Sequence, residues 1–419
     1  MDATVSSPVE THDGSTSECP RWLAVCLFAV MATGSVVLVE PAPYDILFPA
    51  LMVFAWLMGQ PLVSRTADSF AYFGLALYLV ANCVSAVFTQ DVGAAVKSTV
   101  VTGYLIVSWF FLVAIISRHG LPLARWVVRG YLAATILTVA VGILAGVHLL
   151  PNSDFFIIDG RVRSTFKSSL VFSPFVVAAI VLLFTDVIIE KRRQILRCLL
   201  IVATTTAVAL ALSRGAALHL AVSMMALCGL FVFIIRDPLA LRRLAVVGTL
   251  AAVSLPLITY YTFVRLGLWD LLIERSAYQR YDNERFGTQA WAISVSLEKP
   301  LGIGPGQWTF DRFVMDTHSL YLNVLAENGA LGLLGILIFF AGCLLAGLRA
   351  VRRRDKATPL AAASLAICVG ILAETLVIDA LHWRHFFVFL AICVGLDAFA
   401  RRERELKAPS SNTRPAARR

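Results

Sequence analysis

Five arginines, a histidine and a buried-looking carboxylate stand where an apolar chain has least reason to carry them. Ser213-Arg214-Gly215 separates two apolar runs, Ala-Leu-Ala-Leu before and Ala-Ala-Leu after. One reading is a snorkelling turn in which Ser213 caps the following helix. The other is a guanidinium placed for a ligand. Arg161, Arg163, Arg285 and Arg384 add four more guanidiniums near the ends of apolar runs. Arginine presents a rigid fork of donors that matches phosphate oxygens in pairs. His318 follows Asp316-Thr317 at the mouth of an apolar run, and Glu327 lies about two turns inside it. A carboxylate there must pair, protonate or line a cavity, whereas a histidine at an interface is commonly a satisfied polar anchor. Collected on one membrane face, these residues fit a ligand whose phosphates lie at headgroup depth, a polyprenyl-diphosphate-linked substrate. A base beside them can take a proton from a hydroxyl nucleophile while the arginines stabilise the departing diphosphate.

The run Gly302-Ile303-Gly304-Pro305-Gly306-Gln307 lacks the Gly-Lys-Ser/Thr ending of a nucleotide loop. It is read as a tight turn re-entering the membrane, with phosphate contact as the alternative. Neither CxxC, HExxH nor a carboxylate cluster is present, so no metal and no cofactor is expected. Seven of the eight cysteines fall in apolar runs and Cys19 in the N-terminal tail, which gives no disulfide framework.

The elements that must position these residues are membrane spans. Hydrophobic residues make up 58% and charged residues 15% of the 419, and mean hydropathy is +0.78. The excess falls in blocks of about 20 residues, the length that crosses a hydrocarbon core of about 30 Å. A soluble enzyme, a disordered chain and a coiled coil are excluded. The expected fold is all-α, a polytopic membrane bundle of about twelve spans. They fall near 22–39, 44–60, 69–88, 99–117, 126–150, 169–189, 195–213, 215–235, 242–263, 319–348, 359–381 and 385–400. With the N-terminus inside, the 36 Lys and Arg split 24 to 12. The rich side, with Lys191-Arg192-Arg193, Arg352-Arg353-Arg354 and the tail, is then cytoplasmic, as are both termini. The net charge of +9 is therefore topology and not a nucleic-acid signal. No basic residue precedes Arg21, so the first span is expected to stay in the membrane.

Residues 1–21 form an N-terminal tail, 22–400 one transmembrane domain, and 401–419 a basic tail near anionic lipid. The one long outer loop, 264–318, joins spans nine and ten. Within it Phe286, Ala290, Ile293 and Leu297 repeat at helical spacing, as on a helix lying on the membrane surface, with Arg285 at its start.

Four stretches, taken together, resemble the O-antigen ligase/O-antigen polymerase superfamily of bacterial membrane glycosyltransferases. They are Arg161-Val-Arg163-Ser-Thr-Phe166; Leu212-Ser213-Arg214-Gly215-Ala216; Arg285-Phe-Gly-Thr-Gln-Ala-Trp291 with Pro300-Leu-Gly-Ile-Gly-Pro-Gly306; and His318-Ser-Leu-Tyr-Leu322 with Leu325-Ala-Glu327-Asn-Gly329. The likeness covers about residues 160–345. It implies an inverting, metal-independent transfer on the periplasmic face of the inner membrane. An oligosaccharide or polysaccharide leaves undecaprenyl diphosphate for a sugar hydroxyl on a glycan or lipid A core acceptor. It implies that Arg214 and Arg285, with Arg161 and Arg163 beside them, bind the diphosphate and that His318 activates the acceptor. Ser213, Glu327 and Arg384 then have supporting roles. The histidine is usually followed by Asn in the family, and here Ser319 stands there.

Twelve spans also suit a secondary transporter or flippase, but the segment Gly59–Ser69 lacks a Gly/Asp/Arg-rich pattern, and the long loop is not at the midpoint. Within the transferase reading, a ligase and an O-antigen or exopolysaccharide polymerase share the same catalytic parts. The sequence leaves acceptor identity and oligomeric state open.

Overall fold

The structure, a computed structural model, describes residues 19–407 apart from 191, 266, 268, 278, 279 and 309–316. Asp316 and the tail beyond 407 lie outside the described residues. The described chain is built almost wholly of helices. In order they are α1 Arg21–Ala32, α2 Pro43–Leu57, α3 Ser69–Ser85, α4 Val92–Gly146, α5 Ser169–Ile189, α6 Gln194–Leu210, α7 Arg214–Gly229, α8 Pro238–Arg265, α9 Trp269–Ser276, α10 Arg280–Glu298, α11 Leu320–Arg352, α12 Thr358–Glu374 and α13 Arg384–Lys407. A two-stranded hairpin, β1 Ile157–Ile158 and β2 Arg161–Val162, lies between α4 and α5.

Among the described residues, six helices are long and apolar enough to cross a membrane. These are α3, α4, α5, α8, α11 and α7, the last extended by a π-helical turn at Leu230–Ile235. The 55 residues of α4 are interrupted at Gly120 (φ 64°, ψ −148°), so the spans expected at 99–117 and 126–150 are two helices meeting at a bend. Other expected spans are shorter than their apolar runs. Helix α1 holds 12 residues, which at 1.5 Å each reach about 18 Å. It stops because Thr33 turns its hydroxyl back to Val30 O at 2.7 Å and the chain is then captured by the segment after β2. Val37 N–H donates to Thr165 O at 2.8 Å, and the Thr165 hydroxyl donates to Ser35 O at 2.6 Å. Helix α12 ends at Glu374, short of the expected 381.

Packing fixes α11, the element that begins just after His318. Helices α3 and α11 touch through backbone: a Cβ on Gly74 would lie 2.3 Å from Phe339 N, and one on Gly335 would lie 2.5 Å from Tyr78 N. Small residues at such a contact let backbones approach closely. Behind it, Trp109, Phe339 and Phe387 join α4, α11 and α13 in the buried core. Helix α8 is the opposite case. Leu250, Val253 and Leu257 are all exposed, an apolar surface suited to lipid.

The two ends of the bundle are stitched differently. At one end, Asp397 of α13 accepts from Arg349 (3.0 Å), Arg353 (2.7 Å) and Arg401 (2.9 Å), and Arg349 also reaches Asp68 before α3. The other end holds the starts of α2, α4, α5, α7, α11 and α13, and every residue singled out for diphosphate or base chemistry.

Candidate active site

Arg214 is the first residue of α7, and Ser213 is its cap. The Ser213 hydroxyl accepts from Ala216 N–H at 3.3 Å, as the spacing predicts. The sharp turn into that cap uses Leu212 at φ 49°. The Arg214 guanidinium, half-exposed, makes a forked contact with Asp282 of α10: Nη2 donates to Oδ1 at 2.8 Å and to Oδ2 at 3.1 Å. Asp282 itself is 5% exposed. The ion pair therefore pins a solvent-reaching arginine by a buried carboxylate on another helix.

Helix α10 runs from Arg280, so Arg285 lies in its second turn and not at its start. Asp282, Arg285, Thr288, Ala292 and Val295 share its inward face. Thr288 and Ala292 are fully covered, while Phe286, Ile293 and Leu297 are exposed. The apolar stripe expected from the sequence thus faces away from the protein, toward where lipid would lie. What holds α10 to α11 is a small second core in which Trp308 packs on Ala292 and Ala326 with Trp291 and Leu322 alongside. The two indoles meet edge to face at 5.0 Å.

About two turns beyond Asp282, Gln289 donates through Nε2 to Thr317 O at 3.3 Å. Thr317 is the neighbour of His318. Its hydroxyl accepts from Ser319 N–H at 3.3 Å and donates to Ser319 O at 3.0 Å, so it brackets His318 from both sides. Within that bracket His318 adopts φ 49°, a left-handed conformation uncommon outside glycine. Ser319, which stands where the resemblance would place Asn, contributes backbone to this bracket. Leu320 N–H then donates to Thr375 O at 3.1 Å. The adjacent Glu374 reaches toward α7, its Oε1 lying 2.9 Å from where a Cβ on Gly215 would stand. Asp282, Gln289 and the Thr317 bracket accordingly bring Arg214, Arg285 and His318 into one neighbourhood.

Arg161 joins it from the hairpin, donating through Nε to Ala211 O at 2.9 Å, three residues before Arg214. Arg163 does not point there by any described contact. Its Nε and Nη2 donate to Phe155 O at 3.1 and 2.6 Å, and its guanidinium lies over the Phe155 ring.

Glu327 and Arg384 line a separate cavity of about 1170 Å³ at the same end of the bundle. Arg384 forms a forked ion pair with Asp45, with Nε to Oδ1 at 2.6 Å. Glu327 accepts Gly306 N–H at 3.0 Å. The Gly-rich run is a tight turn, and its donors are spent inside the protein: Ile303 N–H reaches Ala326 O at 2.9 Å and Gly304 N–H reaches Glu327 O at 3.0 Å. Helix α11 breaks here, at Gly329 (φ 67°). A Cβ on Gly329 would lie 2.2 Å from Pro300 O, and one on Gly302 would lie 2.2 Å from Glu327 O. Two backbones meet with no side chain between them.

Residues 199–337 match the family model of the O-antigen ligases. Across these residues the chain is similar to that family, which supports the O-antigen ligase/O-antigen polymerase superfamily. That match covers 139 of the 419 residues, from within α6 to within α11. A search of curated proteins finds no match. The matched segment contains Ser213, Arg214, Arg285, His318 and Glu327, whereas Arg161, Arg163 and Arg384 lie outside it.

Sequence reading missed the residues that connect the site's parts. Asp282 sits three positions before Arg285, on the same helical face, and that spacing was the available signal. Gln289 and Gln307 left none, because a polar amide in an outer segment reads as solvated. Gln307 Oε1 accepts the N–H groups of Gln90 and Asp91, both at 2.9 Å, fastening the glycine turn to the start of α4.

Proposed function

We propose that this chain is a membrane glycan transferase of the O-antigen ligase type. It would move an oligosaccharide or polysaccharide from undecaprenyl diphosphate to a sugar hydroxyl at the periplasmic face of a bacterial inner membrane. The observation that carries the reading is the neighbourhood of Arg214, Arg285 and His318. Two arginines on different helices suit the two phosphates of a diphosphate, and an imidazole nitrogen can accept the proton of a hydroxyl.

In this mechanism His318 removes the proton of the acceptor hydroxyl as its oxygen attacks the anomeric carbon. The bond from that carbon to the diphosphate oxygen breaks on the opposite side, which inverts the configuration. The electron pair goes to the diphosphate, whose developing charge Arg214 and Arg285 stabilise, and the proton leaves from the imidazolium. Asp282 orients Arg214, and Arg161 holds the turn before it. Arg163 belongs to the same outer segment and Arg384 to the adjoining cavity. Twelve crossings with both termini in the cytoplasm agree with the sided distribution of Lys and Arg.

Arg214→Ala, Arg285→Ala and His318→Ala should each reduce glycan transfer by about a hundredfold or more while the protein still accumulates in the membrane. Wild-type transfer by all three would overturn the reading. A polymerase is the second form of the same chemistry. The surface glycan of a deletion strain separates the two: full-length chains stranded on the carrier lipid indicate a ligase, and single unpolymerised repeats a polymerase.

A further inference from the structure

The residues that flank His318 in the fold belong to two unlike surroundings. On the side of α7 and α10 are Arg214 and Arg285. On the other, Asn323 and Glu327, one and a half to two and a half turns further along α11, form part of the wall of the 1170 Å³ cavity. The cavity's remaining wall comes from the segments at the starts of α2, α4, α5 and α13 and from Gly306 and Trp308. Its volume exceeds that of most small-molecule sites, so it holds more than a single sugar ring.

The charges lining it are mixed. Three cationic groups, Lys97, Lys167 and Arg384, stand against four carboxylates, Glu40, Asp45, Glu327 and Asp379. Two of the cations are already answered, Lys167 by Glu40 at 2.8 Å and Arg384 by the fork to Asp45. Asp379 is oriented by Asn323 Nδ2 at 2.8 Å and by Leu381 N–H at 2.9 Å. A diphosphate would meet carboxylates in excess here, unlike on the arginine side. A hydroxyl-rich, uncharged ligand meets what it needs: carboxylate and amide acceptors for its O–H groups, and donors on Lys97 and Asn323. Tyr104, Trp308 and Trp383 add aromatic surface to the same wall, on which the apolar faces of sugar rings can lie.

We propose that this cavity binds the sugar units of the acceptor, as an uncharged glycan segment whose attacked hydroxyl reaches His318. This rests on the reading of His318 as the base and divides the site into a donor side, at the arginines, and an acceptor side, at the cavity. Trp308 belongs to both, since it lines the cavity and clamps α10 to α11.

The test uses the purified full-length chain in nanodiscs and two probes. One is geranyl diphosphate, for the donor side. The other is oligosaccharide released by mild acid from the producing cell's surface glycan, separated into neutral and phosphorylated fractions. Val101→Trp, which fills the cavity from α4, and Asp379→Asn, which keeps its volume, should each weaken binding of the neutral fraction at least tenfold. Both should bind geranyl diphosphate within twofold of wild type, which also reports that they fold. Arg214→Ala and Arg285→Ala should do the reverse. The proposal is overturned if the wild-type chain binds no neutral oligosaccharide, if it prefers the phosphorylated fraction, or if neither cavity variant weakens binding. Loss of geranyl diphosphate binding in both cavity variants, with the arginine variants intact, would also overturn it by making the cavity the donor side. If the arginine variants keep geranyl diphosphate while the cavity variants lose oligosaccharide, the donor assignment fails and the cavity assignment stands.

Discussion

Arg214 and Asp282 meet across 68 residues of sequence, and that separation explains which half of the pair could be read in advance. A guanidinium between two apolar runs is conspicuous on any pass along the chain. An aspartate on an amphipathic helix is not, because most such acids face water. Its burial follows from where α10 docks, and docking is not a local property. Once paired, Arg214 is held in one orientation by two bonds from Nη2 to one carboxylate. Asp282→Asn keeps the shape and removes the charge, so Arg214 should sample other rotamers. Transfer should then fall about tenfold, the equivalent of about 1.4 kcal/mol of lost positioning, with accumulation near wild type. A rate equal to wild type in membrane preparations would show that the diphosphate alone orients the arginine.

At the scale of elements, most helices were legible from apolar runs of the right length. The departures have local causes. Helix α1 is short because the segment after it is tied to Thr165. The break in α11 depends on Gly329 meeting Pro300 O, a contact across a turn that no hydropathy window sees. For α10, the periodicity gave the helix but reversed the importance of its faces, since the inward face is the more polar one. Amphipathicity marks the side that meets lipid, and the opposite face carries the site. The clamp at Trp308 therefore becomes the element-scale determinant of where Arg285 lies. Trp308→Ala removes a 5%-exposed indole, a truncation that costs about 3–5 kcal/mol in a packed core. Thermal unfolding of the solubilised protein should shift down by several degrees, and transfer should drop with it. Trp308→Phe should recover most of both. Equal melting of Trp308→Ala and wild type would mean that α10 is held by other contacts.

For the whole molecule, the sided distribution of arginines and lysines made a bold claim that geometry alone does not test. The bundle supplies its two ends: one knitted by Asp397 and three arginines, the other carrying the candidate site. Reporter fusions at residues 192–194 and 270–276 should read cytoplasm and periplasm respectively. The opposite assignment would put the candidate site on the cytoplasmic face and overturn the proposed mechanism. How the site divides into a donor side and a cavity was not legible, because the cavity's charged groups come from residues 40 to 384 and only folding gathers them.

The glycine seam between residues 302 and 329 has an evolutionary side. Where two backbones touch directly, there is no side chain to exchange, and change there can only be lost contact. The spacing of the glycine turn from α11 is thereby withdrawn from gradual adjustment. The cavity wall is the reverse, a surface made by Tyr104, Trp383 and Asp379, each replaceable singly. Under the proposed acceptor role, a lineage can thus drift from one glycan to another along that wall while the half-helix that follows His318 keeps its place.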